Sequence, residues 1–279
     1  MKKPLGILAF FDIYKRGLTK KEILKYSTNN KFNLNDFTQE GDFYFWNKAY
    51  LNEALKMRKH SEKLIKKAQK WGRFLRYLPG VKGVAICNTA SFYTAEKGSD
   101  IDLFIISKED RIWTCRVFVT IFLHILGLRR YGDKIENRFC LSFFVDQKNL
   151  DISKISIKDD VFLAFWIASL IPLFGEVFDD FFSINQKFLD QFEIKPVCKD
   201  IYKKPSFNLD FLCFDFLERI LKKIFLPRTS KKAQSLKSQK GTIIKTGILK
   251  FHDNDMREHF KKEFLLRIKS YKSSSGHLN

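Results

Sequence analysis

Residues 98–106 read GSDIDLFII and place two carboxylates, Asp100 and Asp102, inside an otherwise apolar, β-branched run. Residues two apart on a strand share a face, so the two acids stand a few ångströms apart while Ile101, Leu103 and Ile105 point to the other side. Like charges so placed repel, and a carboxylate taken out of water without a partner is costly. A divalent cation resolves both problems: Mg²⁺ takes one or two carboxylates and completes its shell with phosphate oxygens and water. A bare Asp-x-Asp also occurs at exposed strand ends, where it caps a neighbouring helix or pairs with surface lysines. The surrounding residues decide between these uses.

Upstream, the strand-like VAIC runs into Asn88-Thr89, and ten residues separate Thr89 from Asp100. Asn is the side chain, after glycine, that best tolerates a left-handed backbone, and Thr89 offers a hydroxyl to an anion. This arrangement resembles the nucleotidyltransferase superfamily typified by DNA polymerase beta and the minimal nucleotidyltransferases: a strand, Gly-Ser opening a short helix, then a strand carrying Asp-h-Asp-h, with h apolar. The SDIDLFII half matches; in the other half Asn88 stands for Gly and Thr89 for Ser. The resemblance implies an α+β fold with a polymerase-beta-like mixed sheet, and transfer of a nucleoside monophosphate from a nucleoside triphosphate to an acceptor hydroxyl with release of pyrophosphate. It makes Asp100 and Asp102 the ligands of Mg²⁺ (or Mn²⁺), and Asn88, Thr89 and Ser99 nucleotide-binding.

The family's third carboxylate, implied to be the base for the acceptor hydroxyl, belongs on a later strand. In RFCLSFFVD its expected position is Ser142, and Asp146, farther along on the same face, is the substitute, with Glu136 the other acid nearby. Arg111, Arg116, Lys134 and Arg138 flank the strand ends and are candidate triphosphate partners, Arg111 and Arg116 first; for any one of them an ordinary surface cation is the plainer reading. The resemblance extends to DIYKRGLTKKEI, RIWTCR and LKFHDNDMR, which look like bacterial proteins in which a winged-helix-like segment precedes a minimal nucleotidyltransferase domain. The alternative is a basic winged-helix nucleic-acid binder whose transferase domain is degenerate and binds nucleotide or is inactive.

The elements that must position these residues are legible in outline. Residues 1–50 read as a winged-helix-like unit, or equally as a helical cap carrying a hairpin: an apolar helix (PLGILAFFDIYKR), a second helix opening at Lys20 behind the capping box Thr19/Glu22, and a hairpin turning at Glu40-Gly41-Asp42. Residues 51–150 form the nucleotidyltransferase core: a long basic helix from Leu51 with an apolar stripe through Leu55, Leu64, Ala68, Trp71 and Leu75, then strands VKGVAICN, DIDLFIIS and RFCLSFFVD, with a helix from about Arg111 to Leu128 before the last. Residues 151–279 read as helical throughout, with helices at Asp159–Leu173, Val177–Phe192, Leu209–Phe225 and Met256–Tyr271, a basic linker about 226–248 and a disordered tail.

Composition narrows the partners. Of 279 residues, 51 are Lys or Arg and 31 Asp or Glu, a formal charge of +20 that favours nucleotides or nucleic acid; a solvated lysine-rich surface is the plainer reading of the same number. Five widely spaced cysteines without a C-x-x-C pair point away from disulfide frameworks and zinc knuckles and toward a reducing, cytoplasmic compartment. The apolar run near the N-terminus is broken by Asp12 and Lys15, and neither Val117–Leu128 nor Val161–Phe174 reaches the roughly 18 residues a membrane span needs, so no transmembrane segment is expected. His124, within an apolar helix, reads as a core histidine. Walker, G-x-G-x-x-G, H-E-x-x-H and G-x-S-x-G motifs are absent.

Overall fold

The computed structural model describes residues 3–29, 32–48, 50–198, 215–234, 241–251 and 255–275. Its first unit is α1 (Lys3–Asp12), β1 (Leu18–Thr19), α2 (Lys20–Tyr26) and the hairpin β2 (Thr38–Glu40) and β3 (Phe43–Phe45). The Thr19 hydroxyl accepts from Glu22 N while the Glu22 carboxylate accepts from Thr19 N, closing the expected capping box. The hairpin turns at Gly41, whose φ of +57° is open to glycine without strain, and β3 lies between β1 and β2 in an antiparallel sheet of three.

A second, mixed sheet of six strands carries the rest, in the order β7-β4-β5-β6-β9-β8. Its centre is β4 (Val81–Ile86), β5 (Ile101–Ser107) and β6 (Phe139–Asp146), and only β5 and β6 pair in parallel. Helices cover both faces. On one, α3 (Leu51–Gly72) and α5 (Ile112–Ile125) pack on Val84, Ile86, Leu103, Ile105 and Phe144. On the other, α1, α6 (Val161–Ala168), α7 (Val177–Asp190) and α9 (Arg257–Ser275) pack on Ala85, Phe104, Ile106 and Phe143. The protein is therefore α+β, and among the described residues no helix is long and apolar enough to cross a membrane.

Five expectations are corrected. The strands do not end at Asp146: β7 (Ile171–Phe174) and the hairpin β8 (Thr242–Lys245) and β9 (Ile248–Phe251) form the two flanks of the sheet. The apolar run 161–174 is thus half helix and half strand, because Ser169 ends α6 and Pro172 sits on an edge strand, which asks for no second ladder bond. The basic stretch 226–248 is in part the end of α8 (Asp215–Gln234) and in part β8; residues 235–240, like His252 and most of the tail, lie outside the described residues. Finally, the stripe of α3 runs through Ala54, Met57, Leu64 and Ala68, with Leu55 on the solvent side, and His124 is exposed against Tyr131.

The N-terminal unit shares its core with the sheet. Phe10 is fully buried and stacks on Phe165 of α6 at 4.0 Å. Arg16, also buried, donates to the Phe92 carbonyl and pairs with Glu22 at 2.7 Å.

Candidate active site

The site opens where β4 ends. Asn88 leaves the strand with a φ of +56° and starts the single turn α4 (Asn88–Ser91). A short amide is among the few side chains at home there. Its own bonds hold it: Asn88 Oδ1 accepts from the Trp166 indole at 2.8 Å, and the amide donates to Asp102. Asn88→Ala loses both bonds and strains a left-handed residue, so about 2–3 kcal/mol of stability should go. Asn88→Gly keeps the backbone relaxed and should lie between Ala and wild type in urea denaturation; equal midpoints for Ala and Gly would exclude a role for the backbone conformation.

Asp100 and Asp102 sit at the start of β5 on the face of Phe104 and Ile106, opposite Leu103 and Ile105, as strand alternation requires. Parallel pairing sets Cys140 directly across from Asp102; a bulge then brings Phe143 opposite Phe104. Bulges re-aim side chains, and this one leaves Ser142 Oγ 3.5 Å from Asp102 Oδ1. Arg130 donates to Asp100 Oδ2 at 2.8 Å, and the same nitrogen lies 3.9 Å from Cys140 Sγ. One ligand atom from each of Asp100, Asp102 and Cys140 lies within 4.8 Å of the others. Burial, and then the neighbouring Asp100 charge, push the Asp102 carboxyl up to about 6 against the donors Asn88 and Cys140 and the Arg130 charge. An acid pair so strained electrostatically is a place for a cation.

The pair faces a cleft of about 480 Å³. One wall is aromatic, with Phe92, Phe143, Phe162, Trp166 and Phe260. Lys250 of β9, paired with Phe143, and Arg257 at the start of α9 supply the positive side. Burial first, then Arg257, lowers Lys250 to about 8. Arg257 is fixed by Asp255 (Nη2 to Oδ2 2.6 Å), by the Ile155 carbonyl (2.7 Å) and by fully buried Asp160 at 3.4 Å, whose carboxylate also accepts from Leu163 N at 2.9 Å and so caps α6.

Of the residues singled out from the sequence, Asn88, Thr89, Ser99, Asp100 and Asp102 line this cleft together. Ser99 Oγ accepts from Glu96 N at 3.0 Å, tying the loop before β5. Asp146 is elsewhere. It pairs across from Ser107, about 16 Å down the strand from Asp102, and caps the following turn by accepting from Lys148 N at 3.1 Å and Asn149 Nδ2 at 2.7 Å. The bulge in β6 breaks the strand alternation that would have put Asp146 on the face of the acid pair. Arg111 lies at the same far end, paired with Asp215, beside a larger cavity of about 730 Å³ that lacks the acid pair. Arg116 is behind the sheet with its guanidinium 4.4 Å from the Phe251 ring, pulled down to about 10 by burial and then by Arg129. Lys134, Glu136 and Arg138 belong to the segment before β6; Lys134 and Glu136 are exposed there, and Arg138 donates to the Gly127 carbonyl.

Four contributors were not read from the sequence: Cys140, Arg130, Lys250 and Arg257. Cys140 had a signal, two residues before Ser142 on the same strand, but only the pairing register tells which residue faces Asp102. Lys250 and Arg257 fall within LKFHDNDMR, noted for its resemblance without a role. No protein-family model, curated protein or solved structure matches the chain.

Proposed function

We propose that the chain is a metal-dependent nucleotidyltransferase with a polymerase-beta-like core, moving a nucleoside monophosphate from a nucleoside triphosphate to an acceptor hydroxyl. The observation that carries this reading is the placement of Asp100 and Asp102 on one face of β5, at a cleft that also holds the left-handed Asn88 turn and, from β9 and α9, Lys250 and Arg257. The carboxylate donors suit a divalent ion. Asp100 and Asp102 would hold it, and when bound it supplies neutralisation of charge on the phosphoryl oxygens. Thr89 and Ser99 offer hydroxyls and Lys250 an ammonium to the triphosphate, while the ring wall gives a base an apolar surface. Arg257, braced by Asp255 and Asp160, holds the positive side in place.

Two titrations bound the working range. Below about 6, Asp102 takes up a proton and ceases to attract a cation; above about 8, Lys250 loses the proton that attracts phosphate. Affinity for a metal–nucleotide complex should therefore be greatest between about 6 and 8, with the alkaline limb absent in Lys250→Met; isothermal titration across pH checks both limbs.

One observation favours a second reading. Among the described residues no third carboxylate joins the pair, so the acceptor proton lacks the expected base, and a nucleotide-binding, transfer-deficient domain in a basic nucleic-acid binder fits too. The helix, strand, helix, hairpin order of the N-terminal unit, with β3 central, supports its winged-helix-like part. Incubation with each labelled triphosphate, Mg²⁺ or Mn²⁺, and RNA or cell extract separates the two. Labelled acceptor and pyrophosphate, lost in Asp100→Asn, support the transferase. Nucleotide or RNA binding with no transfer to any acceptor supports the binder.

A further inference from the structure

We propose that Cys140 is the third ligand of this centre, and that it turns the site toward a thiophilic divalent ion such as Zn²⁺ rather than Mg²⁺. This rests on the reading that Asp100 and Asp102 hold a metal, and adds the identity of the ligand set and of the ion.

The thiol is held by the sheet and cannot drift from the acids. Parallel pairing fixes Cys140 opposite Asp102, and the bulge follows at once. Its sulfur already lies within 4.8 Å of a donor oxygen on each of Asp100 and Asp102. Ligand atoms around a tetrahedral ion at about 2.0–2.3 Å lie about 3.5 Å apart, so side-chain rotation of roughly an ångström closes the set. Packing does not account for this sulfur. Cys87 and Cys115 are fully buried, whereas Cys140 is only partly covered and its sulfur stands with an oxygen of each of two carboxylates and 3.9 Å from the Arg130 guanidinium nitrogen.

Donor chemistry then selects the ion. Mg²⁺ is a hard cation that takes oxygen, while thiolate and carboxylate together suit Zn²⁺ and Co²⁺. As the sulfur–metal bond forms, the thiol proton leaves to solvent, with no change in oxidation state. Two carboxylates, one thiolate, a dication and Arg130 are then neutral as a group, which a partly buried site favours. Three protein donors leave a fourth position open to the cleft, as in sites where an ion meets a substrate.

The test is titration of the reduced full-length chain with Co²⁺, read by absorbance, alongside Mn²⁺ binding read by electron paramagnetic resonance. Wild type should show a sulfur-to-cobalt charge-transfer band at one equivalent, abolished by Zn²⁺. Cys140→Ser should lack the band and lose an order of magnitude or more in Zn²⁺ affinity while still binding Mn²⁺, and Cys140→Asp should reverse the preference toward Mg²⁺ and Mn²⁺. Should the serine variant fail to fold, protection of Cys140 from alkylation by Zn²⁺ in wild type, located by peptide mass, gives the same answer. Mn²⁺ binding without a cobalt–sulfur band, or a band that survives in Cys140→Ser, overturns the proposal and leaves the acid-pair reading standing. Wild type that binds neither ion overturns both.

Discussion

Asp102→Asn should make the metal-free protein more stable and at the same time remove the nucleotide transfer proposed above. The sign follows from the carboxyl being raised in the folded state to about 6 from the ordinary 3.8. Above pH 6 the group is ionised whether the chain is folded or not, and the fold bears the cost of its burial beside Asp100. Below about 4 it is protonated in both states and the cost is gone. A shift of about two units corresponds to about 3 kcal/mol. Denaturant unfolding with chelator should therefore show the variant ahead by about that much above pH 7, and the gain should fade as pH falls through 6 to 4. The amide can still accept from Asn88, so the bond that orients the turn survives. On the proposed reading, transfer, or metal–nucleotide binding, should drop by three orders of magnitude or to nothing, since one of the two carboxylate ligands is lost. A variant no more stable than wild type at neutral pH would mean that Asp102 is solvated or neutralised and that the site is not held open for a cation.

Phe10→Ala should cost about 4 kcal/mol, as expected for a large aromatic deleted from a closed core. Phe10 is fully buried, stacked on Phe165 at an interplanar angle of 9° and edge-on to Phe92. It also contacts Phe260 across 5.9 Å. Phe92 and Phe260 line the cleft, so the cavity left by Phe10 lies directly behind the aromatic wall. The variant should show both a lower midpoint in chemical denaturation and weaker nucleotide binding at temperatures where it remains folded. It also probes the boundary placed at residue 50: a single cooperative transition shifted as a whole fits a shared core, whereas loss of the N-terminal elements alone, with the sheet's transition unmoved, would mean that the first unit folds by itself.

What the sequence alone determined here follows rules that act over a few residues. The capping box of α2 depends on a hydroxyl and a carboxylate three positions apart, and the turn at Gly41 on one residue's freedom at positive φ. The shared face of Asp100 and Asp102 depends on the period of two in a strand, and the tolerance of Asn88 for its φ of +56° on its own short amide. Each is a property of backbone dihedrals and near neighbours, and each was readable. Even the hairpin β8–β9 carried a signal, Thr246-Gly247 between the short β-branched and apolar runs TIIK and ILKF, although the surrounding lysines equally suit a linker.

The tertiary structure decided which distant segments share the cleft. The parallel register of β5 and β6 set Cys140 opposite Asp102, the extra residue that follows in β6 moved Asp146 out of phase with the acid pair, and no local rule announces a bulge that arises from pairing with another strand. Lys250 and Arg257 reach the cleft because β9 joins the far side of β6, more than a hundred residues along the chain from Asp102. In the uniformly apolar run 161–174 there is no period to separate helix from strand, so only the open edge beside β4 determined where β7 would form. Local spacing chose the chemistry of the two acids; the order in which strands joined the sheet chose their neighbours, because that order is set by burial and hydrogen bonding summed over the whole core.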